Sequence, residues 1–423
     1  DPFSGGGSIP LEAQRLGLRA YGSDLNPVAV MIGKATIEIP PKFKNSKPIH
    51  PGVKGRNHYR NAEGLAEDVK YYGEIMRQKA LERIGHLYPD ISLPTELGGG
   101  KAKVVAWIWA RTVPSPDPAF SKVNVPIASS FLLSSKAGQE AWIEPLVDRS
   151  NSVINYRIRS KGTTAEIENA RQGTKSGRGA NFTCLISGSA ITSEYVKKMG
   201  KAGLVGTTLL AIVAETNRKR VYLPPDTEQE AIAKTATPDW QPHVSLPNHS
   251  QYVGVLGYGF KTFGDLFTPR QLVGLSTYTD VLKEVTLDIR ADAISAGLSS
   301  EEGGLEAGGD AAQGYAEAIA VYLAFGVSRL SDIQNAFCMW ESSKTQVRHL
   351  FTRHAIPMLW DYAEAGLFSG SAGDFQVSLS SIIRVIERLG VGSDGAITQN
   401  DAQSVVYPTG TVISSDPPYY DNV

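Results

Sequence analysis

The feature that most constrains the fold is a run of three glycines near the start of the chain, in "DPFSGGGSIPLEAQRLG". Glycine has no side chain, so such a loop lets the backbone approach a ligand closely. The apolar residues after the loop recur at helical spacing: Ile9, Leu11, Ala13 and Leu16. A helix start offers free N–H groups to a carboxylate or a phosphate. The stretch therefore predicts a strand end, a ligand-binding loop and a helix, although a plain turn explains the glycines alone equally well.

The next segment, "RAYGSDLNP", predicts a short strand that ends in a turn. Asp24 lies at the end of this strand, about twenty positions after the glycine loop, where an acidic residue of an open α/β sheet accepts the hydroxyls of a ribose. The alternative is that Asp24 forms an Asx-turn or a helix cap before Pro27. The loop and Asp24 together predict the first half of a βαβ unit that binds a nucleotide-like ligand.

Two further acidic residues occupy the other end of the chain, in "AITQNDAQSV" and "TGTVISSDPPYYDNV". Asp401 follows a predicted strand, and Asp416 follows "TGTVI", which we expect to be a turn and a strand. Parallel strands end at one edge of a sheet, where ligands bind. The prolines fix the backbone, so the Asp416 carboxylate and the Pro417 carbonyl can accept both N–H bonds of an exocyclic amine while Tyr419 stacks on its ring. A common Asp-Pro turn is the structural alternative.

These stretches resemble the motifs of a known enzyme class. "DPFSGGG", "SDLNP", "NDA" and "DPPY" resemble motifs I, II, III and IV of S-adenosylmethionine-dependent amino-methyltransferases. With "TPRQLV", "RVYLPP" and "WDYAEA", the chain most resembles the adenine-specific DNA methylases that carry a zinc-ribbon insertion. The resemblance spans nearly the whole chain. It also leads us to expect a fragment, because the region before motif I and the strands after motif IV are missing.

The resemblance implies an α/β fold with a Rossmann-like methyltransferase sheet that is incomplete in this chain. A β-rich insertion and a helical region would separate motif II from motif III. The implied regions are 1–39 (cofactor-binding half of the methyltransferase domain), 40–102 (loop and helix), 103–222 (β-rich, degenerate zinc-ribbon-like insertion), 223–375 (helical region) and 376–423 (second part of the methyltransferase domain, with the DPPY tip).

The resemblance also implies roles for individual residues. S-adenosyl-L-methionine would be held by Asp1, Phe3, Gly5, Gly6, Gly7, Asp24, Asn26, Asp401 and Ala402. The target amine would be bound by Asp416, Pro417, Pro418 and Tyr419. An amine lone pair can attack a sulfonium methyl without a covalent enzyme intermediate. A base inside a duplex cannot reach such a pocket, so base flipping is expected.

The expected function is therefore that of a site-specific DNA methyltransferase that modifies an exocyclic amine. Aspartate before Pro-Pro favours adenine N6 over cytosine N4. Methylation of guanine N2 in RNA is an enzymatic alternative, because related Asn/Asp-Pro-Pro-aromatic tips serve there too. A nucleic-acid-binding subunit without catalytic activity is the alternative from another class.

The insertion departs from the family pattern at the expected zinc ligands. The family carries two cysteine pairs, which match "PSPDPAFSK" and "TCLISG". Ser115 and Phe120 replace one pair here. Ser187 replaces a cysteine of the other, which leaves Cys184 alone. One thiolate cannot form the four-ligand site of a structural zinc, so we expect no metal.

The distribution of charge indicates the partner. The net charge of the 423 residues is −1, but residues 149–222 carry 13 Lys/Arg against 4 Asp/Glu. This basic segment is either a solvated surface or a groove for nucleic-acid phosphates, with Trp142, Tyr156 and Tyr195 available for stacking. The methylase-like motifs favour the groove, with DNA as the partner. The oligomeric state is not predicted.

Composition and the spacing of apolar residues predict the cellular compartment and the positions of several helices. Two isolated cysteines favour a reducing, cytoplasmic compartment. No apolar run is long enough to cross a membrane. Helices are predicted at 65–80, at about 311–330, at about 344–365 and in "SLSSIIRVIERLG". In "FTPRQLV", Thr268 is the expected N-cap, Pro269 the first helical residue and Gln271 the partner in a capping box.

Overall fold

The computed structural model describes residues 1–53, 56, 58–216, 219–249, 251–352, 354–390 and 392–417. The chain is a mixed α/β protein, as expected, and it divides into two units. The first unit comprises Asp1–Lys79, Tyr278–Val327 and Ser378–Val423, and the second comprises Ala80–Thr277 and Ser328–Val377. None of the described helices has the length and apolar character needed to cross a membrane.

The α-helices of the described residues are α1 (Ser8–Arg15), α2 (Pro27–Gly33), α3 (Ile39–Lys42), α4 (Glu63–Ile84), α5 (Thr164–Gln172), α6 (Ser193–Lys201), α7 (Thr227–Thr235), α8 (Pro269–Ser295), α9 (Ala312–Ser331) and α10 (Phe375–Arg388). A π-helical turn, Lys34–Glu38, lies between α2 and α3. The helices predicted at 65–80, at about 311–330 and in "SLSSIIRVIERLG" are confirmed as α4, α9 and α10. The capping box before α8 is confirmed too, because the backbone N–H of Thr268 donates to Gln271 Oε1 (2.9 Å) and that of Gln271 to Thr268 Oγ1 (3.2 Å).

The described strands are β1 (Ala20–Asp24), β2 (Ile91–Ser92), β3 (Lys101–Pro114), β4 (Asn124–Ile127), β5 (Leu132–Ser134), β6 (Ala141–Asp148), β7 (Val153–Ser160), β8 (Phe182–Thr183), β9 (Ala190–Ile191), β10 (Gly206–Thr216), β11 (Lys219–Leu223), β12 (Met339–Glu341), β13 (Gln346–Arg348), β14 (Asp361–Ala365) and β15 (Gly395–Gln399). The largest sheet lies in the second unit and has the order β11-β10-β3-β14, with β2 and β4 also paired to β3. The segments predicted to be β-rich therefore do form strands.

The parallel sheet of the first unit is built around β1. β1 and β15 pair in parallel along all five residues of each strand. On the other side of β1, the N-terminal amino group of Asp1 donates to Tyr21 O (2.9 Å) and Ser23 N donates to Asp1 O (2.9 Å). Ser4 N then donates to Ser23 O (3.0 Å). Asp1 is bonded to β1 as a residue of a parallel strand would be, but residues 1–4 form no strand, so the predicted strand end is wrong and the sheet has two described strands, β1 and β15. The reason is that Phe3 N donates to the side chain of Asp1 instead of continuing the ladder. Three backbone segments still run side by side: the first four residues, β1 and β15.

A glycine at the centre of β1 allows this sheet to pack closely. A Cβ on Gly22 would lie 2.6 Å from Ile397 Cδ1 and 3.3 Å from Pro10 Cγ, distances that no larger residue tolerates without a shift. The amide of Gln14 in α1 supports the same core, since Nε2 donates to Ile37 O (2.8 Å) and Ser393 O (2.9 Å). A larger residue at position 22 would therefore require at least the Ile397 side chain to shift.

The prediction that Leu16 lies on the apolar face of α1 is wrong. Leu16 is 79% exposed, because the helix ends at Arg15 and Leu16 falls beyond it. The fully buried positions of α1 are Pro10 and Gln14. The polar Gln14 is accepted in the core because its amide is hydrogen-bonded there.

The helix predicted at about 344–365 is also wrong. This stretch contains β13 and β14, and β14 pairs antiparallel with β3, from Asp361 opposite Ala110 to Ala365 opposite Ala106. The local pattern favoured a helix, but a partner strand some 250 positions away supplies the hydrogen bonds and the buried face.

The strand predicted in "TGTVI" is a third correction. Residues 411–417 form no strand, and Val412 is 89% exposed. The apolar run is only three residues long and lies between Gly410 and Pro417, which interrupt strands, and it buries no face against a partner.

Candidate functional site

The glycine loop, Asp24 and Asp401 lie at one edge of the parallel sheet. The first backbone segment enters the loop after Ser4, β1 ends at Asp24, and β15 ends two residues before Asp401. The pairing continues to this edge, because Asn400 N donates to Asp24 O (3.2 Å). Carboxyl ends of parallel strands form the edge at which open α/β sheets bind their ligands.

The glycine loop leaves open space where a ligand can approach. Gly5 has φ 47° and Gly7 has φ 80°, in the left-handed region that favours glycine. A Cβ on Gly5 or Gly6 would meet no atom within 4 Å, whereas one on Gly7 would lie 2.9 Å from Ile37 Cδ1. Gly7 is also the N-cap of α1. Gly5 and Gly6 therefore leave the loop open, and Gly7 is fixed by packing.

Asp24 joins this loop to the turn that follows β1. Its Oδ2 accepts the backbone N–H of Gly5 (2.9 Å), and its Oδ1 accepts that of Asn26 (2.9 Å). Asn26 in turn caps α2, because its Oδ1 accepts the N–H of Val28 (2.9 Å). The Asx-turn considered for Asp24 is thus formed. Each carboxylate oxygen still has a second lone pair, so Asp24 can also accept from a ligand at this edge.

The other predicted cofactor residues also bond to their own loops. Asp1 Oδ1 accepts the N–H of Phe3 (3.0 Å), and Phe3 is 39% exposed. Asp401 is exposed, and its Oδ1 accepts the N–H of Gln403 (2.9 Å) in a turn that includes the half-buried Ala402. These contacts fix the loops at the sheet edge.

Sequence reasoning missed Tyr407. Its hydroxyl lies 3.0 Å from Oγ of Ser23, and its ring centroid lies 6.4 Å from that of Tyr21. The segment after Asp401 therefore folds back over β1. The only local signal is an aromatic residue before Pro408, which does not reveal a contact about 380 positions back along the chain.

The target-base residues are described only in part. Asp416 and Pro417 are exposed and lie in the irregular stretch 411–417. Pro418 and Tyr419 lie outside the described residues. The convergence of the DPPY tip with the glycine loop stays a prediction.

The positions that match the family's zinc ligands meet in the second unit. Oγ of Ser115 lies 3.3 Å from Sγ of Cys184, and Phe120 packs against the same core. Burial raises the pKa of the Cys184 thiol, but hydrogen bonds with Ser115 and Ser187 outweigh it, so that the pKa lies below its usual value. In the described part of the chain, no three His, Cys, Asp or Glu residues are grouped as metal ligands. Ser115, Phe120 and Cys184 are thus held together by a hydrogen bond and an apolar core.

A basic recess of about 770 Å³ lies elsewhere in the second unit. Five cations line it: Lys136, Lys161, Lys219, Arg220 and Lys344. Glu140 and Glu215 also line the recess and offset part of this charge, and Glu215 forms an ion pair with Arg220. The predicted stacking residues do not form an open platform, since Trp142 lies in the core and Tyr195 donates its hydroxyl to Pro114 O (3.0 Å). Tyr156 is partly buried against the same core as Trp142. The recess suits phosphates better than bases.

No family model, curated protein or solved structure matches this chain. The edge combines an open glycine loop, a helix start and carboxylates that keep free lone pairs. Such a donor and acceptor set suits a ligand with a ribose and a charged group.

Proposed function

We propose that this chain belongs to an S-adenosylmethionine-dependent DNA methyltransferase that modifies an exocyclic amine, with adenine N6 as the favoured target. The proposed fold around the first unit is a Rossmann-like methyltransferase sheet. The observation that carries the proposal is the shared edge of the first four residues, β1 and β15, where the glycine loop, Asp24 and Asp401 meet. Topological edges of this kind bind nucleotide-like ligands.

The residues at the edge fit the cofactor. Open space outside Gly5 and Gly6 allows a ligand to approach the backbone, and α1 presents N–H groups beside it. Asp24 would accept the ribose hydroxyls, and Asp401 would accept the adenine amino group. Asp1, Phe3 and Asn26 would line the remainder. The cofactor, when bound, supplies a methyl group on a sulfonium, which is electrophilic without further activation.

The protein's chemical task is then to orient the amine. The Asp416 carboxylate and the Pro417 carbonyl are acceptors for its two N–H bonds, and accepting both directs the nitrogen lone pair away from them. Pro418 would fix that backbone, and Tyr419 would stack on the extruded base. These two roles depend on the resemblance alone.

The test measures cofactor binding and methyl transfer with the full-length protein. We expect Asp24→Ala to weaken binding of S-adenosyl-L-methionine about 10- to 100-fold, because a hydrogen bond to a charged group contributes ~1.5–3 kcal/mol. Asp310→Ala removes an exposed carboxylate elsewhere in the first unit and is the matched control, with unchanged affinity. Equal affinity of the wild type and Asp24→Ala, both folded by circular dichroism, would contradict the assignment.

Mass spectrometry of nucleosides then identifies the product. We expect N6-methyladenine in DNA exposed to the wild type and none with Asp416→Ala, which should keep its cofactor affinity. Methylation equal to that of the wild type would remove the catalytic role of Asp416. N4-methylcytosine would change the target base, and methylated guanine in RNA alone would favour the RNA enzyme.

A nucleic-acid-binding subunit without turnover is the second candidate. The basic recess supports it, because clustered cations attract phosphates and binding of this kind weakens steeply with salt. Salt-dependent DNA binding by a protein that binds no S-adenosyl-L-methionine would favour this candidate over the enzyme.

A further inference from the structure

Arg111, in the middle of the second unit, is a buried cation without a buried anion. Its side chain lies on β3, and the residue is 5% exposed. Nε donates to Leu359 O (2.8 Å) and Nη2 to Ala336 O (3.0 Å). Three rings surround the guanidinium carbon at 4.8, 4.8 and 5.3 Å from their centroids: Phe260, Phe337 and Tyr362. No described carboxylate lies within ion-pair distance of Arg111.

The same unit shows how a buried arginine is normally neutralised. Arg270 is fully buried and forms a two-point contact with Glu364, from Nε to Oε1 (3.0 Å) and from Nη2 to Oε2 (2.7 Å). Burial of a charge without such a partner costs free energy that only carbonyls and rings offset at Arg111. Burial also lowers the pKa of Arg111 to about 10, so it stays cationic at neutral pH.

The unused donors of Arg111 form a fork. A guanidinium has five N–H bonds, and the two carbonyls take one from Nε and one from Nη2. Within the described residues, both N–H bonds of Nη1 and the second one of Nη2 make no hydrogen bond. Two neighbouring N–H groups of this kind match the two oxygens of a carboxylate.

A recess of about 350 Å³ opens beside Arg111. Its apolar walls include Trp109, Phe267 and Tyr362. Asp265 and Lys234 also line it, and Lys234 Nζ contacts Glu230 Oε1 at 2.7 Å. Glu364 lines it too but is neutralised by Arg270. The recess therefore offers one free guanidinium, flat apolar walls and one carboxylate that repels additional negative charge.

We propose that this recess binds a small monocarboxylate with a flat apolar body, whose carboxylate receives the free fork of Arg111. The aromatic walls accommodate the body, since flat apolar groups pack well against rings. One negative charge matches one guanidinium, whereas a phosphate dianion would be repelled by Asp265. This ligand is independent of the methyltransferase proposal, because every residue that binds it lies in the second unit.

Three small probes test the proposal by titration calorimetry on the full-length protein. We expect benzoate to bind about tenfold or more tightly than benzamide, its neutral analogue, because the carboxylate forms charge-assisted hydrogen bonds. Phenyl phosphate should bind more weakly than benzoate. Equal binding of benzoate and benzamide, or no binding of benzoate, would overturn the proposal, and tighter binding of phenyl phosphate would overturn the monocarboxylate.

Variants assign the effect to Arg111. Arg111→Met keeps the length of the side chain without its charge, and it should abolish the preference for benzoate; circular dichroism checks that the variant folds, because Leu359 O and Ala336 O lose their donor. Arg149→Met, at an exposed arginine of the same unit, is the matched control and should keep that preference. An unchanged preference in Arg111→Met would contradict the site.

A second variant keeps the proposal testable if Arg111→Met does not fold. Asp265→Asn removes the repelling charge, while its amide oxygen can still accept the N–H groups of Lys261 and Thr262. We expect it to bind benzoate several-fold more tightly than the wild type. Unchanged or weaker binding would count against the proposed site.

Discussion

Carboxylates serve opposite purposes at the sheet edge of the first unit and inside the second unit. At the edge, Asp24 and Asp401 accept only backbone N–H groups of nearby loops, and water or a ligand can reach their remaining lone pairs. In the second unit, Glu364 is 1% exposed and is fully engaged by neighbouring side chains, namely Arg270, Thr268 and Trp109. The first arrangement therefore suits binding, whereas the second suits a fixed interior.

The substitution that should destabilise the protein most removes the anion of the buried Arg270–Glu364 pair. Glu364→Ala leaves Arg270 as an uncompensated buried charge, and we expect the free energy of unfolding to fall by about 3–5 kcal/mol. Urea denaturation measures the loss. The double variant Arg270→Met/Glu364→Leu is the control, and it should recover much of the stability because apolar side chains replace both charges. A loss below about 1 kcal/mol in Glu364→Ala would remove the contrast with the edge.

A buried carboxylate in the first unit tests whether burial, rather than the unit, decides the behaviour. Asp68 accepts from Tyr315 (2.6 Å) and from the N–H groups of Ile49 (2.9 Å) and His50 (3.1 Å). Burial outweighs these bonds and raises the pKa of Asp68 from 3.8 to about 6. The folded state therefore holds the proton more tightly than the unfolded state. The contribution of this group is complete below pH 3.8 and is lost as the pH rises through about 6.

The expected loss between these pH values is about 3 kcal/mol, at about 1.4 kcal/mol per pKa unit. Unfolding in urea at pH 4, 5, 6 and 7 measures it, and Asp68→Asn is the control that should lack this part of the pH dependence. If the free energy of unfolding of the wild type changed with pH in the same way as that of Asp68→Asn, the raised pKa would be contradicted.

The smallest expected effects compare helix caps in the two units. Asn26 caps α2, and Thr163 caps α5 in a full capping box with Glu166. Replacing either cap by alanine should cost about 1 kcal/mol, because both caps are local and near the surface. Only Asn26→Ala should also weaken S-adenosyl-L-methionine binding. A cost that differs by more than about 2 kcal/mol between the two variants would show that the cost of losing a cap depends on the unit.

Features set by short sequence distances could be predicted. The glycine loop, β1, β15 and the capping box of Thr268 and Gln271 each depend on a few consecutive residues, and each forms as expected. The edge at which β1 and β15 end could be predicted from these elements, because neighbouring parallel strands end at the same edge of a sheet.

Features set by distant partners could not be predicted. β14 is a strand because β3 supplies its ladder, and Trp142 is buried because the core around β5 and β6 covers it. The pairing of Arg270 with Glu364 joins residues 94 positions apart, and no local pattern distinguishes that glutamate from an exposed one. For the same reason, the sequence does not reveal that Arg111 has no ion-pair partner among the described residues, since this depends on which distant residues surround it in the fold.

The amide of Gln14 has a consequence for the order of folding. It joins α1 to Ser393, 379 positions later, so the core of the first unit cannot close completely until residues 393–397 have been synthesised. Both units are assembled from separated stretches of the chain, so each completes its core only after its last segment has been made. Until Ile397 has been made, the apolar side of α1 can pack only against Ala20, Val30 and Ile37, so part of this core stays uncovered during synthesis.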